Sequence, residues 1–192
     1  SLFRMARALE PEDRFQAALH HEPGVGLGRV SVKSLGSDPS MAWNEGETLC
    51  VIMDGELYDV PALRRLLDEE REQGDVRGQA GLVLRLYERF GEDFAARLNG
   101  AFVIAIWDRR ARKLILVNDR LGLLPFYYAR VNGDLVFASG VRALLADARL
   151  ERTVDVVAMN QFLVYDHVLD DRTLLKSAKL LPQGSILTFR AG

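Results

Sequence analysis

Asp54-Gly55-Glu56-Leu57-Tyr58-Asp59 places carboxylates on both sides of a glycine, directly after the apolar run Leu49-Cys50-Val51-Ile52-Met53. The spacing predicts a strand that ends in Gly55 and presents backbone N–H groups and carboxylates at a sheet edge. That is an arrangement able to grip a small polar substrate. Ionised Asp54 can only accept hydrogen bonds. Cys50, the one cysteine, lies inside the apolar run, where a free thiol behaves as a small buried hydrophobe rather than a nucleophile. His20 and His21 have no Cys or acid partner at motif spacing, which predicts surface or loop positions. Arg29 and Glu56, of opposite charge, fit a structural ion pair.

The elements that must carry these residues follow from periodicity. Phe3 to Leu9 has helical apolar spacing, and the Gly-rich stretch Gly24 to Gly28 leads into a half-buried strand over Arg29 to Lys33. Ser34 to Asn44 reads as a loop. After the Leu49 to Met53 strand, an amphipathic helix is predicted from Pro61 to Gln73, with Leu63, Leu66 and Leu67 as its buried stripe. A break at Gly74 to Gly78 separates it from a helix over Ala80 to Phe90, and a helical turn follows to Leu98. Ala101 to Trp107 is apolar without alternation, as a strand covered on both faces should be. It pairs in a hairpin with Lys113 to Val117. A second hairpin joins Phe126–Arg130 to Leu135–Ala138 about Asn132-Gly133. Helices over Val141 to Ala146 and Asp155 to Tyr165, and a last strand over Ile186 to Phe189, complete an α+β layered sandwich.

Composition narrows the function classes. A chain of 192 residues, 48% hydrophobic and 27% charged, is one globular domain, or one and a small appendage, long enough to bury a core. A net charge of −2 with interspersed signs argues against a nucleic-acid or anionic-membrane surface. A single cysteine fits a reducing compartment, and no window approaches the ~18 apolar residues of a membrane span. The expectation is a cytoplasmic protein with neither nucleic-acid nor membrane partners.

Five blocks in order resemble the glutamine-hydrolysing domain of asparagine synthetases. They are Asp54 to Tyr58; Leu98 to Phe102 with Trp107-Asp108; Asp119 to Gly122 with Pro125 to Tyr128; Phe137 to Ser139 with Arg142 to Leu144; and Leu181 to Gly184. Together they span roughly residues 25 to 190. The resemblance implies an N-terminal-nucleophile hydrolase fold, a four-layer α-β-β-α sandwich of antiparallel sheets occupying residues 1–192. Asn99-Gly100 and Asp119 to Gly122 are expected to serve turn geometry.

In that family an N-terminal Cys attacks glutamine, with its own α-amine as general base. Here the residues after Ser1 match the family's first helix rather than its nucleophile strand, so the nucleophile Cys is expected to be absent. By resemblance, Arg29 matches the Arg that pairs with the glutamine α-carboxylate, and Glu56 matches a residue that helps hold the α-amine. Gly55 belongs to the same signature. Asp54 stands where the family has an oxyanion-binding Asn, Gln79 where it has an ammonium-anchoring Asp, and Gly81 where it has a Glu. Loss of one oxyanion donor costs about 2.7–4 kcal/mol of transition-state stabilisation. Loss of a charge-assisted contact costs about 1.5–3 kcal/mol more.

The leading expectation is a degenerate glutaminase-like domain with a vestigial site of Arg29, Asp54, Gly55, Glu56 and Gln79. It would partner a C-terminal ATP-dependent synthetase domain of the same protein, as in β-lactam synthetases and lasso-peptide cyclases. No cofactor is expected in this domain. ATP and Mg belong to the synthetase domain, whose Ser-Gly-Gly pyrophosphate loop does not occur here. A homodimer, and glutamine if the site is retained, are further partners. One alternative is an active glutamine-dependent asparagine synthetase whose Cys was lost by truncation. Another is a non-catalytic amino-acid-binding or scaffold module.

Overall fold

A computed structural model describes residues 1–9, 15–32, 41–67 and 78–190. The chain runs α1 (Leu2–Leu9), β1 (Phe15–Glu22), β2 (Val25–Val32), β3 (Met41–Trp43), β4 (Leu49–Leu57), α2 (Val60–Leu66) and α3 (Gly78–Phe90). A 3₁₀ helix (Gly91–Arg97) leads to β5 (Gly100–Asp108), β6 (Lys113–Asn118), β7 (Tyr127–Val131) and β8 (Asp134–Ala138). Then come α4 (Val141–Leu144), α5 (Val156–Tyr165), β9 (Ala178–Leu180) and β10 (Ile186–Arg190).

Period-two alternation on three strands builds the layers. On β5, Phe102, Ile104 and Ile106 face a core that also takes Val51 and Met53 of β4 and is covered by Leu82, Val83 and Leu86 of α3. Their neighbours Val103, Ala105 and Trp107 face the opposite way, with Cys50 and Ile52, onto a second core shared with Leu27 and Phe126. The β7–β8 hairpin repeats the pattern. Leu135 and Phe137 turn toward the second core, while Val136 and Ala138 turn toward a third, closed by Ala143 and Leu144 of α4 with Met5 and Leu9 of α1. Three cores between four layers make the α-β-β-α sandwich.

The first sheet has the order β10-β6-β5-β4-β3, all neighbours antiparallel. The second layer contains two pieces, β1-β2 and β8-β7-β9.

Several expectations need correction. The strand holding Asp54 does not end at Gly55; it continues to Leu57, paired throughout with β5. The Gly-rich stretch from Val25 is itself strand, paired with β1, so His20 and His21 are strand residues rather than loop, with His21 at the surface as expected. The side chain of His20 packs edge-on against Trp43, with ring centroids 4.6 Å apart. Leu66 leaves the predicted stripe and is exposed, whereas Leu63 and Leu67 are buried. The second half of that helix and residues 74–77 of the break lie outside the described residues, and Gly78 already opens α3. Of the predicted loop, 34–40 lie outside them too, and Met41–Trp43 is a short edge strand. The three-residue β9 was too short to leave a periodic signal.

Candidate functional site

A cavity of about 790 Å³ opens between the two halves of the second layer. One wall is β2, from Val25 to Val30, and the other is β8, from Leu135 to Ala138; Val103, Ala105 and Trp107 of β5 form its floor. Among the described residues, β2 pairs only with β1 and β8 only with β7. The cavity is therefore flanked by two strands that each have an unpaired edge.

Arg29 and Asp54 both line this space, brought from β2 and β4. Arg29 Nη2 donates to Asp54 Oδ1 at 3.2 Å, with the arginine side chain 22% and the aspartate 48% exposed. Arg29 Nε is buried with no hydrogen-bond partner. Asp54 thus takes the role in the ion pair that sequence reasoning left open to Glu56. Glu56 is itself exposed and does not line the cavity. Gln79 is committed elsewhere: its Oε1 accepts the N–H of Leu57 at 2.5 Å, tying the end of β4 to the start of α3. Gly81 is buried within α3. Of the five residues singled out from the sequence, the cavity gathers two.

Gly55 explains why the signature needs a glycine. Its φ is +98°, and a Cβ there would lie 2.0 Å from the carbonyl oxygen of Ala101 on β5. Gly100 makes the reciprocal approach, since its Cβ would lie 2.2 Å from the carbonyl of Glu56. The loop after β6 is built around Asp119, which is buried. Its carboxylate accepts the N–H groups of Leu121 and Leu123, and its carbonyl accepts those of Gly122 and Gly184. This block serves turn geometry, as its composition implied.

Cys50 is fully buried, and desolvation pushes its thiol up to about 12. At neutral pH it is a protonated core residue and no nucleophile. Nearby, Glu22 accepts from Trp107 Nε1 at 2.6 Å and from Arg109 Nε and Nη2 at 3.0 and 2.6 Å. The Arg109 contact holds the Glu22 carboxyl below its usual range. This clasp fastens the β1–β2 hairpin to the first sheet. Nothing in the local sequence announces it, because its partners lie 85 and 87 residues apart. Among the described residues, no group of three or more His, Cys, Asp or Glu could hold a metal ion. None of the helices among the described residues is long and apolar enough to cross a membrane.

Comparison with known proteins agrees with this architecture. The profile of the glutamine amidotransferase domain family matches residues 9–192. Asparagine synthetase [glutamine-hydrolyzing] 3 of Bacillus subtilis (strain 168) is 31% identical over 153 residues, 79% of this chain and 25% of that protein. Asparagine synthetase [glutamine-hydrolyzing] 1 of the same organism is 28% identical over 172 residues, 88% of this chain and 27% of that protein. The chain thus spans about a quarter of the length of these curated relatives. In structure it resembles glutamine phosphoribosylpyrophosphate amidotransferase of B. subtilis, with a TM-score of 0.52 and 15% identity over 86% of this chain and 34% of that one. That likeness identifies the N-terminal-nucleophile hydrolase fold. The chain belongs to the glutamine amidotransferase domain family, in the form carried by asparagine synthetase-like proteins.

Proposed function

We propose that this domain keeps a cavity with room for an amino acid but does not hydrolyse glutamine, and that it serves a linked synthetase domain as a scaffold. The observation that carries this reading is the Arg29–Asp54 ion pair in the cavity wall. By resemblance, Arg29 would hold the α-carboxylate of glutamine, and position 54 would supply an oxyanion donor. Here position 54 offers a carboxylate that occupies the arginine instead. An ionised Asp54 repels a developing oxyanion, and the missing donor alone is worth about 2.7–4 kcal/mol. Gln79, engaged with the Leu57 N–H, supplies no negative charge for a ligand ammonium. ATP and Mg chemistry would reside in the synthetase portion.

An Asp54→Asn variant tests this reading. A half-exposed ion pair at 3.2 Å contributes on the order of 1 kcal/mol, so freeing Arg29 should tighten glutamine binding by about five- to tenfold in calorimetry. Glutamate release from glutamine should stay at background in the unaltered protein. Measurable release there would refute the loss of hydrolysis, and the absence of binding in both forms would refute the retained cavity.

A second reading has one observation in its favour. The cavity, bordered by the unpaired edges of β2 and β8, has the outline of a strand site. An extended segment carrying a nucleophilic Cys, seated there, would restore an active glutaminase of an asparagine synthetase. Glutaminase assay of the full-length protein separates the two readings.

A further inference from the structure

Helix α5 is held firmly without being buried. Asp155 caps it, its carboxylate accepting the N–H groups of Val157 and Ala158, and Arg172 Nη1 donates to the same carboxylate at 2.8 Å. At the far end, Asp166 in the left-handed conformation donates its N–H to the carbonyl of Phe162, and Gln161 Oε1 accepts from the N–H of Leu169. Yet Ala158 is the single buried residue of its ten. Val156 is 74% exposed, Leu163 73% and Val164 63%.

At 100° per residue, Met159, Leu163, Val156, Val164 and Val157 form one continuous face opposite Ala158, interrupted only by Asn160. No charged residue occurs from Val156 to Tyr165. A helix this short draws its stability from tertiary packing of an apolar face, yet among the described residues this face is left about half to three-quarters exposed. A charge-free centre with charged residues at its margins (Asp155, Asp166 and Arg172) is the composition of an interface core and rim.

We propose that the outward face of α5 is the docking surface for a further domain of the same polypeptide. This rests on the reading of the chain as one domain of an asparagine synthetase-like protein, and not on whether glutamine is hydrolysed. Size selects the occupant. Five apolar side chains, from 47% exposed at Met159 to 74% at Val156, present on the order of 500 Å², the scale at which patches mark interaction sites. Two copies pairing through it would bury ~1,000 Å², short of the ~1,600 Å² typical of stable association between free molecules. Domains of one chain dock through ~600–1,500 Å², because the linker supplies an effective concentration in the millimolar range. The curated relatives carry about three quarters of their length beyond the matched domain, ample for such a partner.

Hydroxyl-radical footprinting of the full-length protein tests the proposal through Met159. Covered, Met159 should oxidise at least tenfold more slowly than an exposed methionine; oxidation at the exposed rate would overturn the proposal. A Val156→Lys/Leu163→Glu variant of the same full-length protein should expose Met159 and enlarge the radius of gyration in X-ray scattering at unchanged molecular mass. A fall in mass from dimer to monomer would assign the face to a second copy and overturn it. So would a full-length protein that contains no further domain. Glutamine binding at the Arg29 cavity should be the same in both forms, so failure of that site and failure of this one are read separately.

Discussion

Gly55 and Asp54 are chain neighbours under different constraints. The glycine is fixed by backbone: a φ of +98° and a Cβ position 2.0 Å from the Ala101 carbonyl exclude every other residue. Gly55→Ala should destabilise the fold by about 3 kcal/mol or more, the sum of left-handed strain and overpacking, measured by urea denaturation. Asp54 is not in the left-handed region, and its exchange for Asn removes a charge and adds a hydrogen-bond donor. The sequence disclosed both residues as a signature but could not tell which was structural. Gly55 was legible as a special backbone position. That Arg29 would choose Asp54 over Glu56 was not, because partner choice depends on how β2 lies across β4. The role of Gln79 was hidden for the same reason, since its bond to Leu57 spans the junction of β4 and α3.

At the scale of elements, strands and long helices were legible where alternation or a wide apolar stripe ran for five residues or more, as in β5, β6 and α3. Short elements closed by polar contacts were not. The segment after α4 is an example: Asp147 is buried and accepts from Arg149 Nε and Nη2, while Arg149 Nη1 reaches Asp134 at 2.6 Å on β8. The Arg149 fork holds the Asp147 carboxyl at about 2, against an ordinary 3.8. Because the folded value is depressed, the pair's contribution is complete above pH 4 and is lost as pH falls toward 2. Asp147→Asn should therefore cost about 1–2 kcal/mol at pH 7, the lower end for a charged hydrogen bond with a partly exposed partner. The deficit should shrink as the pH is lowered from 4 to 2, which thermal melts across that range would record.

For the whole molecule, three cores are stacked between four layers, and Cys50 sits with zero exposure in the middle one. No local opening of a loop or terminus reaches it. Its alkylation should follow global unfolding: negligible labelling by iodoacetamide at pH 8 in buffer, and stoichiometric labelling through the same urea transition seen by circular dichroism. Appreciable labelling well before that transition would mean that the second layer parts from the first as an independent unit. The layered class itself was readable from composition and hairpin spacing. The split of the second layer was not, because it depends on the gap between β2 and β8, which no periodicity encodes.

The Glu22 clasp also has a consequence in time. Its partners Trp107 and Arg109 emerge 85 and 87 residues after Glu22. At translation rates of about 5–20 residues per second, the β1–β2 hairpin waits roughly 4–17 s before the residues that fasten it leave the ribosome. Through that interval both hairpin edges and the underside of Leu27 are open to solvent and to neighbouring chains. Synthesis, more than the finished fold, is then the stage at which this domain is most exposed to aggregation and most dependent on chaperones.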